Sequence, residues 1–277
     1  MSQPYHASED TRLPGPRSVL VFVLGLAVLF LFGGIFFQLL LGEGGLLAAE
    51  WLLLFLPALA WTGRSGFDPV RLLSLRTPTT DHLAAGLLLA AGALPLGWTL
   101  GWLQSFVLPV PVEVLEGLEE MVTAESPGRF LWLLLVVAAT PAICEEVVFR
   151  GVLLGGTRSL TPWKMVLLNG AVFGAFHLSF STVVRFLPTA ALGCVIAWAV
   201  WRSGSIWVGM AMHFLNNATI VAMASMPALD GAFSDPYAPP PGEAVLAGGI
   251  AFALGAGILL RTSSPTEDRT TTPDEPT

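Results

Sequence analysis

Eight apolar stretches, at about 18–41, 45–62, 82–104, a run opening near Arg129, 162–180, 182–202, 205–226 and 242–261, take up most of this 277-residue chain. A helix needs roughly 20 apolar residues to cross the hydrocarbon core of a bilayer. The pattern therefore predicts an all-α fold, a polytopic membrane helix bundle of about eight transmembrane helices. Charged residues make up only 12% of the chain, against roughly 25% in a soluble domain. The first run follows Arg12 and Arg17 as a secretory signal would. It is longer than the roughly 7–15 residues of a signal's apolar region and lacks a small-x-small exit, so a retained anchor is expected.

Basic residues collect on the cytoplasmic side of membrane proteins. With both termini inside, Arg12, Arg17, Arg64, Arg71, Arg76, Arg150, Arg158, Lys164, Arg202, Arg261 and Arg269 fall on that side and only Arg129 and Arg185 outside, which accounts for all 13 Lys and Arg. The expected layout is a cytoplasmic tail (1–17), three accessory transmembrane helices (18–104), an acidic external loop (105–128), a catalytic core (129–226), an external loop (227–241), a last helix (242–261) and a disordered cytoplasmic tail (262–277). The protein is thus expected in the cell membrane as a multi-pass protein, with lipid and a membrane-associated peptide or protein as partners. The net charge of −7 says nothing further, because the acids gather in the external loop and at the two ends. No basic surface suits nucleic acid, and no glycine loop suits phosphate. Cys144 and Cys194 lie within apolar runs and imply no disulfide framework.

Within the fourth run, Ala142-Ile143-Cys144-Glu145-Glu146-Val147-Val148-Phe149-Arg150 sets three charges at membrane depth. Such charges are expensive in lipid and persist where they pair or do chemistry. Consecutive helical residues point about 100° apart, so Glu145 and Glu146 face different ways. Arg150, four residues beyond Glu146, is expected to pair with it, which leaves Glu145 free to act. A plain interfacial ion pair with one spare acid is the alternative. Pro141 is expected to bend the helix just before the carboxylates.

The turn to the next run centres near Thr161, and Glu145 and His177 each lie 16 positions from it. In an antiparallel hairpin that is equal depth, about 24 Å along each helix, so the two side chains can meet. Gly170 and Gly174 form a small-x-x-x-small face that lets helix backbones approach. In the seventh run His213 and Asn217 share a face, with Gly209 on the same stripe. A Glu and a His at one depth can deprotonate a water, while a second His with an Asn can donate to the oxyanion formed on a carbonyl. Glu145, His177 and His213 could instead form a His₂Glu set holding one divalent metal, zinc first among candidates. Both readings predict amide hydrolysis, and a metal-free route stays open.

The motifs Glu145-Glu146-x-x-x-Arg150, Phe173-x-x-x-His177 and His213-x-x-x-Asn217, in this order on successive helices, resemble the CPBP family. That family, also called ABI, comprises intramembrane endopeptidases related to the type II CAAX prenyl protease. The resemblance covers about 125–225. It implies a membrane-embedded protease in which Glu145 and His177 activate water, His213 and Asn217 stabilise the oxyanion, and Glu146, Arg150 and Phe173 support the site. The alternative it leaves is a non-proteolytic scaffold or bacteriocin self-immunity protein of the same fold. A proton-coupled transporter built on Glu50 and Glu145 finds no support in broken half-helices or inverted repeats.

The remaining polar groups have plainer readings. Cys144 is expected to pack, Glu50 to sit near the outer interface, and His82 to cap the third span, with His6 in a flexible terminus. Asn169 and Asn216 are expected to hydrogen-bond between helices. Trp98, Trp102, Trp198, Trp201 and Trp207 fit an interfacial aromatic belt.

Overall fold

The computed structural model describes residues 13–108, 112–178, 183, 186–226 and 237–262. His6, Arg12, Arg185, Arg269, nearly all of the 262–277 tail and most of the 227–241 loop lie outside the described residues. The described part is helical, with one isolated antiparallel bridge, Leu75 to Ser205, and no strand. The helices are α1 (Pro16–Leu41), α2 (Gly44–Arg64), α3 (Thr80–Ser105), α4 (Val112–Val122), α5 (Pro127–Gly156), α6 (Pro162–Phe176), α7 (Phe186–Ser203), α8 (Ile206–Ala224) and α9 (Gly242–Arg261). Among the described residues seven of these, all but α4 and α6, are long and apolar enough to cross a membrane. The protein is a multi-pass helical bundle.

The fifth expected span, 162–180, is where the structure differs. Its helix α6 has 15 residues and ends at Phe176, about 22 Å of length. His177 is therefore the residue that closes the helix, not one in its middle. Its backbone N–H bonds Gly174 O at 3.2 Å, and its own imidazole takes the Phe173 carbonyl one turn back, at 2.8 Å. A side chain that captures the carbonyl four residues back competes with continued helix.

Close backbone approaches tie the bundle together. A Cβ on Gly170 would run into Cys194 Sγ and Ala190 O, and one on Gly174 would lie 2.7 Å from Ala190 Cβ. The small-residue face of α6 thus serves contact with α7. On α3, Pro95 packs on Gly248 of α9, and Gly92 on the same α3 face meets the α9 backbone. His82 does not cap α3 with its side chain; Thr79 does so, accepting from the His82 backbone N–H at 3.2 Å.

Helix α5 is the most deeply buried of the seven and contains two π-helical turns, Leu134–Ala139 and Val147–Leu153. Pro141 explains the first. Lacking an N–H, it leaves the carbonyl four residues back, that of Val137, without its helical donor. Asn217 of α8 supplies the missing donor, Nδ2–H to Val137 O at 2.9 Å. The second turn carries Arg150 into the packed interior, where the residue has no exposure at all.

Candidate active site

Four helix segments bring the polar residues together: the middle of α5, the end of α6, α8, and the α2 turn that begins at Glu50. Glu146 accepts Arg150 Nη1–H at 2.8 Å with both side chains fully buried, as the four-residue spacing predicts. Arg150 Nη2–H also donates to Gly193 O of α7 at 3.2 Å. The Arg150 guanidinium carbon stands 4.3 Å from the Phe173 ring centroid, a distance at which a desolvated cation gains from the ring's negative face. Phe173 therefore serves twice, its ring under Arg150 and its carbonyl on His177.

His213 is held by the same carboxylate. Its Nδ1 lies 2.9 Å from Glu146 Oε1, the oxygen that also receives Arg150. A carboxylate and a backbone carbonyl only accept, so Nδ1 carries the proton in both His213 and His177. Both imidazoles then present Nε2 to Glu145. His177 Nε2 is 3.8 Å and His213 Nε2 4.0 Å from the single oxygen Glu145 Oε2. That oxygen is buried and has no hydrogen-bond partner among the described residues. Exposure falls steeply across the group, from 23% of the His177 side chain to 7% of Glu145 and none of Glu146, so approach is from the His177 side.

Gly209 explains how α8 comes so close. A Cβ there would stand 2.7 Å from both Glu146 Oε2 and Val200 Cγ2. Asn217, one turn past His213, is bonded to Val137 O and accepts from Asn216 Nδ2–H at 3.0 Å; it makes no hydrogen bond to His213 or Glu145. Asn169 donates to Phe149 O at 2.7 Å, joining α6 to α5. Cys144 is fully buried and packs.

The donors do not fit a metal as placed. A zinc held at about 2.1 Å by Glu145 Oε2 and by an imidazole nitrogen 3.8–4.0 Å away would subtend roughly 130–145°, far from the tetrahedral angle of about 109°. No group of three His, Cys, Asp or Glu among the described residues is placed to hold a metal. A water can span the same gaps with hydrogen bonds of about 2.8 Å.

Sequence reasoning missed one member. Glu50 is 2% exposed, and the α2 turn it begins packs on the Thr140–Glu146 stretch of α5 that carries Glu145. Depth counted from helix ends places Glu50 far above Glu145, so only the packing of α2 on α5 reveals the contact.

The protein is thus a multi-pass helical bundle in which two oriented imidazoles, His213 buried and His177 part-exposed, gather around one buried carboxyl oxygen. Residues 127–219 match a family model described as type II CAAX prenyl endopeptidase Rce1-like, and over this stretch the chain is similar to that family. The matched segment runs from the start of α5 into α8 and contains every candidate residue from Glu145 to Asn217, while Glu50 lies outside it. No curated protein and no solved structure matches the chain.

Proposed function

We propose that the protein is an intramembrane endopeptidase that hydrolyses a peptide bond of a membrane-associated protein or peptide with a water activated by Glu145 and His177. The observation that carries this reading is the convergence of two imidazole Nε2 atoms on one buried, unpartnered carboxylate oxygen. Glu145 takes a proton from the water while His177 Nε2 accepts the water's other hydrogen and aims its lone pair. The water oxygen bonds the peptide carbonyl carbon. In its doubly protonated form His213 keeps Glu146 on Nδ1 and turns Nε2–H to the oxyanion, where preorganised donors act most strongly. Asn217 adds the amide hydrogen not engaged by Val137. Collapse of the intermediate breaks the C–N bond as Glu145 returns its proton to the leaving nitrogen, giving a carboxylic acid and an amine.

The matched description names a prenyl endopeptidase, so a prenylated carboxyl-terminal peptide is the first substrate to try. The test is cleavage of a quenched reporter peptide, with and without a prenyl group, by the full chain in lipid nanodiscs. Glu145→Gln and His177→Ala are expected to abolish cleavage while the protein stays folded. Wild-type rates from either variant would overturn the reading.

A further inference from the structure

At the end of the bundle away from Glu43 and Arg129, three connections between helices are tied together at Ser74. Its hydroxyl accepts Arg158 Nη2–H, from the turn between α5 and α6, at 2.8 Å. Its carbonyl accepts the backbone N–H of Ile206, the first residue of α8, at 2.9 Å. Two residues on, Arg76 O accepts Ser205 Oγ–H at 2.6 Å, and Leu75 bridges Ser205. The linker between α2 and α3 is thereby held against both turns. Leu72 and Leu73 anchor it from beneath: a Cβ on Gly155 would run into Leu72 O, and one on Gly151 would stand 2.7 Å from Leu73 Cδ2. Ser74 has φ 54°, the one positive value at a non-glycine among the described residues, and such a conformation persists where its surroundings over-determine it.

This junction presents arginines without matching acids. Arg76 and Arg158 are exposed, and neither forms an ion pair with an Asp or Glu among the described residues. Arg158 spends one N–H on Ser74 and has no other acceptor among the described residues. The linker's one acid, Asp68, is turned to the backbone N–H groups of Val70 and Arg71. Desolvation, and then the charges of Arg71 and Arg76, hold the Arg158 guanidinium below its ordinary value, so the positive charges repel one another as they stand. Helix α5 has 30 residues, about 45 Å, the thickness of a bilayer with its headgroup layers. Arg158, two residues past its end, therefore stands at the level of lipid phosphates. A guanidinium fork matches phosphate oxygens in geometry as well as in charge, and basic pockets between membrane helices take acidic headgroups.

We propose that Arg76 and Arg158, with the Ser74 hydroxyl, form a binding site for a phosphate group, that of an acidic membrane lipid or of a soluble phosphate. The Arg158 N–H groups clasp its oxygens, Arg76 adds charge from the linker, and the Ser74 hydroxyl, an acceptor toward Arg158, donates its own hydrogen. The bound anion offsets the repulsion among the arginines and clamps the linker to the turn after α5, so binding stabilises the fold. The site does not depend on the endopeptidase reading.

The experiment titrates the detergent-solubilised full chain with short-chain phosphatidylglycerol, with phosphatidylcholine of the same chain length, and with inorganic phosphate against sodium chloride of equal ionic strength. The readout is the midpoint of thermal unfolding. Phosphatidylglycerol is expected to raise it saturably, while phosphatidylcholine, whose choline cancels the phosphate charge, is not. A rise with inorganic phosphate as well assigns recognition to the phosphate group from either source; a rise with phosphatidylglycerol alone assigns it to the lipid. Arg76→Gln/Arg158→Gln is expected to weaken the apparent affinity about 10-fold or more. Arg76→Glu changes an exposed side chain that takes no part in the hydrogen bonds tying the linker, so it tests the site even where loss of the Arg158–Ser74 bond unfolds the double variant; it should abolish the response. Arg64→Gln/Arg261→Gln removes equal charge from the same end of the bundle and should leave the response intact. No response to either phosphate source in wild type, an unchanged response in Arg76→Glu, or an equal loss in Arg64→Gln/Arg261→Gln overturns the site.

Discussion

Glu146 Oε1 holds His213 Nδ1 at 2.9 Å and Arg150 Nη1 at 2.8 Å, so one carboxylate oxygen sets the orientation of an imidazole and neutralises a fully buried guanidinium. Glu146→Ala would leave Arg150 buried without its counter-charge, which costs about 3–5 kcal/mol. Thermal unfolding in detergent should show a large loss. Glu146→Gln keeps one acceptor oxygen but no charge, and turnover should fall about 10–100-fold from the loosened His213. A glutamine variant with wild-type turnover would show that His213 does not depend on this contact.

What the sequence made legible were local relationships. The four-residue spacing found Glu146–Arg150, and equal distance from a turn found Glu145 opposite His177, because adjacent helices in a hairpin share a depth scale. The same rule fails for Glu50. It lies seven positions from Glu43 while Glu145 lies 16 from Arg129, yet Glu43 and Arg129 are bonded to each other and the turn that Glu50 begins still packs on the stretch that carries Glu145. Packing of non-consecutive helices decides such a contact, and no periodicity encodes it. His213 facing Glu146 was equally hidden, because Gly209 marked a close approach without saying what approached.

Asn217 and Pro141 form a second testable pair. The missing N–H of Pro141 frees Val137 O, and Asn217 fills it at 2.9 Å. Asn217→Ala should cost about 1 kcal/mol for a part-buried carbonyl left without its donor. Pro141→Ala restores a backbone donor four residues on, so the double variant should lose clearly less than the sum of the single effects. Unfolding free energies of the four proteins form the cycle. Additive losses would show that the two residues act independently.

The site's spacing bears on metal dependence. Nε2 to Oε2 separations of 3.8 and 4.0 Å suit a water and strain a tetrahedral zinc site. Cleavage by protein purified without added metal is expected to be unchanged after incubation with a strong chelator and after its removal, with metal content by mass spectrometry well below one ion per chain. Activity lost to chelation and restored by zinc would mean that the two imidazoles close on a metal in the working enzyme.

The Glu43–Arg129 pair predicts a weak acid dependence of stability. The Arg129 hydrogen bonds hold the Glu43 carboxyl below its ordinary value, helped by Trp132 Nε1–H and opposed by burial. A carboxylate with a lowered folded value stabilises above its unfolded pKa of about 4.3 and loses that contribution as pH falls through the folded value. With 55% of the Glu43 side chain exposed, the contribution should stay below about 1 kcal/mol. Glu43→Gln should therefore melt slightly below wild type at neutral pH, match it near about pH 2–3, and lose most of the difference in about 1 M salt. A gap that persists in acid would assign the stabilisation to hydrogen bonding by the amide-sized side chain and not to charge.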